Sequence, residues 1–128
     1  MLKTILFDLD GTLLPMDQDE FIRDYFQRLA QKVSPLGYEP KELIDTVWAG
    51  TKAMVKNNGA QSNEAAFWAV FVQCYGEEAL RDRPTFDEFY RVEFQEVAGV
   101  CGCNPAARKA VETLRSMGFR LALATNPL

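Results

Sequence analysis

The stretch Thr4-Ile5-Leu6-Phe7-Asp8-Leu9-Asp10-Gly11-Thr12 decides the fold and carries most of the chemical information in the chain. Its first residues are apolar or β-branched and predict a strand, after which Gly11 allows a sharp turn. Side chains two apart on a strand point the same way, so Asp8 and Asp10 are expected to lie side by side at its tip. Two such carboxylates can share a displacement reaction, one attacking and one handling a proton, and they offer the hard oxygen ligands that suit Mg²⁺.

The simpler interpretation of these residues is an Asp-Gly turn after a strand. Asp and Gly are common turn formers, and Asp10-Gly11 alone would be read in that way. The preceding apolar strand and the second aspartate, Asp8, favour a site over a plain turn.

Composition limits the classes of function that need to be considered. The chain has 128 residues, of which 48% are hydrophobic, so it can form one compact domain or a small domain with an insertion. A net charge of −4 and the lack of a basic stretch argue against a nucleic-acid partner. Histidine is absent, which excludes catalysis by a histidine base and metal sites built on histidine.

The cysteines and the apolar runs bear on location. Three cysteines, an odd number, and no secretion signal indicate a reducing compartment, so we expect a cytoplasmic protein. No run approaches the roughly 20 apolar residues of a membrane span, so no membrane partner is expected. Cys101-Gly102-Cys103 has a one-residue spacing, whereas zinc and thioredoxin-type pairs use two, and we interpret it as a loop.

The order of predicted elements is strand, helices, strand. Residues 2–7 and 119–124 read as buried strands, the second preceded by a helix that starts at Asn104-Pro105. Between them, apolar residues recur at helical spacing in four further segments, from 17–33 to a last helix that opens at Pro84 and runs to Val97. We therefore expect an α/β core of residues 1–15 and 100–128, with a helical insertion at 16–99.

Two polar clusters follow the two predicted strands. Asp8 and Asp10 come at the end of the first, and Thr125 and Asn126 come at the end of the second. A strand–helix–strand crossover makes the strands parallel, and sites in such sheets sit at the carboxyl ends. The sequence therefore predicts that both clusters converge on one site.

These segments resemble the haloacid dehalogenase superfamily, most of whose members are Mg²⁺-dependent phosphatases. Leu6 to Leu13 is similar to its first motif, an apolar strand followed by Asp-x-Asp-Gly-Thr, and Leu121 to Asn126 is similar to its second. The helices between them resemble the family's inserted helical cap. The resemblance implies a Rossmann-like parallel sheet core, only partly present here, with a cap bundle inserted after the first motif.

The resemblance also implies roles for the residues. Asp8 would take the phosphoryl group as an aspartyl-phosphate, and Asp10 would protonate the leaving oxygen and later activate water. Asp8 and Asp10 would hold Mg²⁺, while Thr125, Asn126 and Gly11 would bind the phosphate. Phosphoryl transfer needs such a nucleophile, a metal and hydrogen-bond donors. The expected substrate is a small phosphorylated metabolite, whose identity the sequence leaves open, as it does the oligomeric state.

The chain departs from the family pattern after the second motif. The family's third motif supplies a lysine and its fourth supplies acidic metal ligands, and both follow the point at which this sequence stops, Leu128. We therefore expect an N-terminal portion of a longer phosphatase, or the product of a shortened reading frame, with little or no activity alone. The alternative is a catalytically silent module of the same fold that serves as a binding or scaffold partner.

Overall fold

The structure is a computed structural model, and it describes residues 2–127. Along the chain the strands and α-helices are β1 (Thr4–Phe7), α1 (Gln18–Val33), α2 (Pro40–Val55), α3 (Asn63–Tyr75), α4 (Arg83–Arg91), α5 (Pro105–Ser116) and β2 (Arg120–Leu123). Short 3₁₀ helices follow α1, α3 and α4 at Ser34–Leu36, Glu77–Asp82 and Glu93–Val100. The predicted order of elements is confirmed.

Side-chain caps fix where the helices begin, because each accepts a backbone N–H that has no partner inside the helix. The cap at α1 is Asp17, whose Oδ1 accepts from the N–H of Glu20 over 3.0 Å. The remaining caps are Glu39 for α2, Ser62 for α3 and Asn104 for α5, which accept over 2.8, 3.1 and 3.0 Å. The cap at Asn104 confirms the helix start that the sequence predicts there.

The fourth helix is shorter than predicted. We expected one helix from Pro84 to Val97, but α4 ends at Arg91 and the chain continues as a 3₁₀ helix. The side-chain amide of Gln95 donates to the backbone carbonyl of Tyr90 over 3.0 Å, which satisfies an acceptor released at the end of α4. This local hydrogen bond favours the tighter turn over a continued α-helix.

The two strands form a parallel pair, as predicted. Thr4 lies opposite Arg120 and Phe7 opposite Leu123, with the intervening residues in register. The expectation that both strands are buried is wrong, since Leu6 is 64% and Leu123 58% exposed. Within residues 2–127 the sheet contains only β1 and β2, so the side chains of these strands lack the covering layers that bury a wider parallel sheet.

The chain divides into two compact units, which consist of residues 2–23 with 97–126 and of residues 24–96 with Pro127. The first holds the strand pair and α5. The domain boundaries expected from the sequence, with a helical insertion at residues 16–99, remain a prediction. None of the helices within residues 2–127 has the length and apolar composition needed to cross a bilayer.

The second unit, residues 24–96 with Pro127, is called the helical unit below. It has a core of aromatic and aliphatic side chains. Phe71 and Phe89 have no exposed surface, and Phe86 has almost none. Their rings meet mostly edge to face, for instance Phe71 and Phe86 at 5.2 Å between centroids, an arrangement that aromatic pairs prefer. Trp68 belongs to this core, whereas Trp48 is 41% exposed.

Candidate active site

Asp8 is the first residue beyond β1, and its side chain is exposed. The hydroxyl of Thr12 donates to Oδ2 of Asp8 over 3.1 Å. A carboxylate can accept about four hydrogen bonds or metal bonds, so the contact with Thr12 orients Asp8 and leaves it able to react or to bind a cation.

A tight turn follows Asp8 and returns the chain beside itself. Gly11 adopts φ +74°, a left-handed conformation that glycine tolerates best, and its N–H donates to the carbonyl of Leu14 over 2.9 Å. The N–H of Leu14 in turn donates to the carbonyl of Leu9 over 2.9 Å. The turn keeps Asp10, which is half-buried, close to the end of β1. Because the N–H of Gly11 is bonded within the turn, its phosphate-binding role stays a prediction.

The strand pairing brings the ends of β1 and β2 together. The N–H of Ala124 donates to the carbonyl of Phe7 over 2.8 Å, one residue beyond the paired strand. Paired strands lie about 4.8 Å apart, so the backbones that lead into Asp8 and into Thr125 are neighbours. Thr125 and Asn126 are exposed. Their contacts with a phosphoryl group, like the roles of Asp8 and Asp10, stay predictions.

Thr12 also belongs to this site, although the sequence pattern alone assigned it no role. Its hydroxyl, and not that of Thr125, makes the hydrogen bond recorded at Asp8. The signal was present in the sequence, because Gly11 reverses the chain between Asp8 and Thr12 and returns the later residue toward the earlier one.

The oxygen atoms of Asp8 and Asp10 suit magnesium, although two residues alone do not complete a metal site. Among residues 2–127, no three or more Asp, Glu, Cys or His side chains gather in a group that could hold a metal. Asp8 and Asp10 offer only oxygen donors, which Mg²⁺ prefers. Mg²⁺ is commonly held by one or two carboxylates, with water and substrate phosphate completing its shell. The oxygen donors of Asp8 and Asp10 therefore fit part of the coordination shell of a Mg²⁺ ion.

The loop from Cys101 to Cys103 packs beside Pro15 and Met16, which follow the turn at Gly11. Cys101 forms an antiparallel bridge with Met16, and the N–H of Gly102 donates to the carbonyl of Pro15 over 2.6 Å. Burial raises the pKa of the Cys101 thiol, and the negative charge of Asp10 raises it further. Cys101 and Cys103 are both free thiols. The segment from Cys101 to Cys103 is a loop, as expected, and it follows the 3₁₀ helix Glu93–Val100.

Comparison with known proteins defines the class. The model of the haloacid dehalogenase-like hydrolase family matches residues 2–128, and the chain belongs to this family. Its fold is the α/β fold of that family, partly present and carrying inserted helices.

A relative is the phosphoglycolate phosphatase of Vibrio parahaemolyticus serotype O3:K6 (strain RIMD 2210633). It is 27% identical over 128 residues, an alignment that covers 98% of this chain and 50% of the relative. The chain thus spans about half the length of this curated protein. No solved structure matches the chain significantly.

Proposed function

We propose that this protein hydrolyses phosphomonoesters of small metabolites, with Asp8 as the nucleophile. One observation carries the proposal: two carboxylates leave β1 at Asp8 and Asp10, where the Ala124–Phe7 hydrogen bond holds the end of β2 alongside. Membership in a hydrolase family and likeness to a phosphatase support it.

The reaction proceeds in two displacements. An Oδ atom of Asp8 attacks phosphorus, so a P–O bond to Asp8 forms while the bond to the leaving oxygen breaks, and Asp10 gives that oxygen its proton. Asp10, now a carboxylate, takes a proton from water, which attacks the same phosphorus and releases phosphate and free Asp8. The hydrogen bond from Thr12 orients Asp8 for the first step.

The remaining groups of the site stabilise the negative charge of the phosphoryl group. Thr125 and the backbone near Asn126 donate to the phosphoryl oxygens. A carboxylate oxygen of Asp8 and the backbone carbonyl of Asp10 would hold Mg²⁺, which when bound neutralises the charge of the phosphoryl group. We place the protein in the cytoplasm because an odd number of cysteines is typical of proteins in a reducing compartment.

The experiment measures phosphate release by the full-length polypeptide encoded by the gene, with Mg²⁺ and a panel containing phosphoglycolate, sugar phosphates and an aryl phosphate. We expect Asp8→Asn to lower kcat about 10³-fold or more, because the nucleophile is lost. The matched control is Asp19→Asn, an exposed aspartate in the first turn of α1, which should leave kcat unchanged. Turnover that survives Asp8→Asn, or no turnover of any substrate, would count against the proposal, and the latter would favour a silent binding module.

A further inference from the structure

A cavity of about 270 Å³ lies among α1, α2, α3 and α4 of the helical unit. Pro127 forms one wall and residues between 24 and 96 form the others, most of which are aromatic or carry sulfur: Tyr25, Met54, Phe67, Trp68, Phe86 and Tyr90. A dry cavity of about 150 Å³ lined by apolar residues holds benzene, so this cavity has room for two fused rings.

The cavity walls are held by their own contacts. The ring of Trp68 meets the rings of Phe67 and Phe86 edge to face, with centroids 5.7 and 5.6 Å apart. The Arg83 guanidinium lies over Trp68 at 5.8 Å and is also paired with Glu64. Walls fixed in this way need little reordering when a ligand enters, which favours binding.

Two of the residues that line the cavity, Tyr25 and Tyr90, carry hydroxyl groups. The hydroxyls of Tyr25 and Tyr90 are 2.7 Å apart and share one hydrogen bond. Two phenols have two protons, and the shared bond uses only one, so one O–H remains as a donor. Burial raises the pKa of both tyrosines, which keeps the pair protonated. The spare donor suits an acceptor atom on a ligand.

The charges at the cavity are acidic. Glu64 and Asp87 line it, and of these two Glu64 is paired with Arg83. An anion brought to this rim would be repelled by Asp87, whereas a neutral molecule pays no such cost. The cavity therefore discriminates against phosphate and carboxylate groups.

We propose that the helical unit binds a neutral heteroaromatic molecule of one or two rings, whose ring acceptor takes the spare proton of the Tyr25–Tyr90 pair. The rings would stack among Phe67, Trp68 and Phe86. This site is independent of the proposed phosphatase activity, since it needs neither Asp8 nor a phosphate group.

The test is a titration of the chain with quinoline, by calorimetry and by the fluorescence of its tryptophans. Naphthalene has the same shape without the acceptor nitrogen, and quinoline-2-carboxylate adds a negative charge. We expect saturable 1:1 binding of quinoline, with naphthalene about 3- to 10-fold weaker because it cannot use the donor. Quinoline-2-carboxylate should bind more weakly still at low salt. No saturable binding of quinoline, or equal affinity for quinoline and naphthalene, would overturn the proposal.

Tyrosine variants test the spare proton directly. Either Tyr25→Phe or Tyr90→Phe leaves one hydroxyl that can donate, so each single variant should still prefer quinoline. The double variant has no donor and should bind quinoline and naphthalene equally. Tyr75→Phe, a tyrosine of the same unit outside the cavity, should behave as wild type. A preference for quinoline that survives in the double variant would refute the assigned donor.

A filled cavity gives a separate check. Met54→Trp places a large side chain in the cavity and should abolish quinoline binding, with folding verified by circular dichroism. If that variant does not fold, competition by benzene for the wild-type site replaces it and should weaken apparent quinoline binding. Quinoline binding that is unaffected by a folded Met54→Trp variant or by saturating benzene would place the ligand elsewhere and refute the proposal.

Discussion

The backbone N–H of Ala124 donates to the carbonyl oxygen of Phe7 over 2.8 Å, and this bond extends the β1–β2 pairing past its last paired residues. Asp8 and Thr125 are the next residues of their segments. Residues more than 110 positions apart in the sequence are therefore brought to one edge by a backbone hydrogen bond. The proposed chemistry depends on this convergence.

Thr12 should matter for rate more than for stability. Thr12→Val removes the hydroxyl that donates to Asp8, and we expect kcat of the full-length polypeptide to fall about tenfold, the scale of one hydrogen bond to a charged group. Thr12→Ser keeps the hydroxyl and should restore most of the rate. Steady-state kinetics on both variants checks this, and equal kcat values for Val and Ser would show that the hydrogen bond has no role in the reaction.

Gly50 should resist replacement by alanine although it lies inside a helix. A Cβ at this position would come 2.4 Å from Cδ2 of Phe67, which is buried against α2. Alanine in a helix interior normally gains about 1 kcal/mol over glycine, but forcing a buried ring aside costs about 1–3 kcal/mol. We expect Gly50→Ala to lower the free energy of unfolding, as measured by urea denaturation.

The control for Gly50 is Gly99→Ala, since nothing lies within 4 Å of a Cβ at Gly99. That change should leave stability nearly unaltered. Combining Gly50→Ala with Phe67→Leu should cost less than the sum of the two single changes, because the smaller side chain relieves the clash. A Gly50→Ala variant more stable than wild type would contradict the packing described.

Acid should lower the free energy of unfolding of the helical unit, because it protonates Glu93. The ammonium group of Lys32 donates to Glu93 over 2.7 Å, and this bond holds the pKa of Glu93 below its ordinary value of 4.5. A carboxyl whose folded pKa is depressed stabilises the fold above its unfolded pKa, and that stability is lost as pH falls through the folded pKa. We expect unfolding free energy to fall below about pH 4.5.

Glu93→Gln should flatten this acid dependence, since the amide does not titrate. Glu77→Gln changes an exposed glutamate and should keep the wild-type slope. Urea denaturation of the three proteins from pH 7 to pH 3 measures the effect. Identical slopes for wild type and Glu93→Gln would show that the Lys32 contact does not bias the titration of Glu93.

The alkylation rate of the Cys101 thiol should depend on the charge of Asp10. Burial and then Asp10 raise the pKa of its thiol, so it should react with iodoacetamide more slowly than the exposed Cys74 and Cys103 at pH 8. Asp10→Asn removes the charge and should speed alkylation of Cys101 while leaving Cys74 unchanged. Peptide mass spectrometry over time measures the three rates. An unchanged Cys101 rate in Asp10→Asn would mean that this charge does not act on the thiol.

Local signals in the sequence predicted the elements well. The cap at Asn104 and the turn at Gly11 are set by nearby residues, so they could be predicted from the sequence. The parallel pairing followed from the crossover rule. The end of α4 could not be predicted, because it depends on whether Gln95 reaches the carbonyl of Tyr90.

Burial was harder to predict than secondary structure. Leu6 and Leu123 lie in apolar strands, yet they are exposed because burial depends on which other elements cover the sheet. At the site, the position of Asp8 directly after β1 followed from the strand pattern. The partner of Asp8 did not, since a hydrogen bond from Thr12 depends on the geometry of the turn.

The most direct test of the central claim is chemical trapping of the phosphoryl group on Asp8. The full-length polypeptide is mixed with Mg²⁺ and its best phosphomonoester, quenched in acid and reduced with borohydride, which converts an aspartyl-phosphate to homoserine. The account predicts homoserine at position 8 in the peptide mass spectrum, and none at position 10 or in the Asp8→Asn variant. Turnover with unmodified Asp8, or with the modification at another residue, would contradict it.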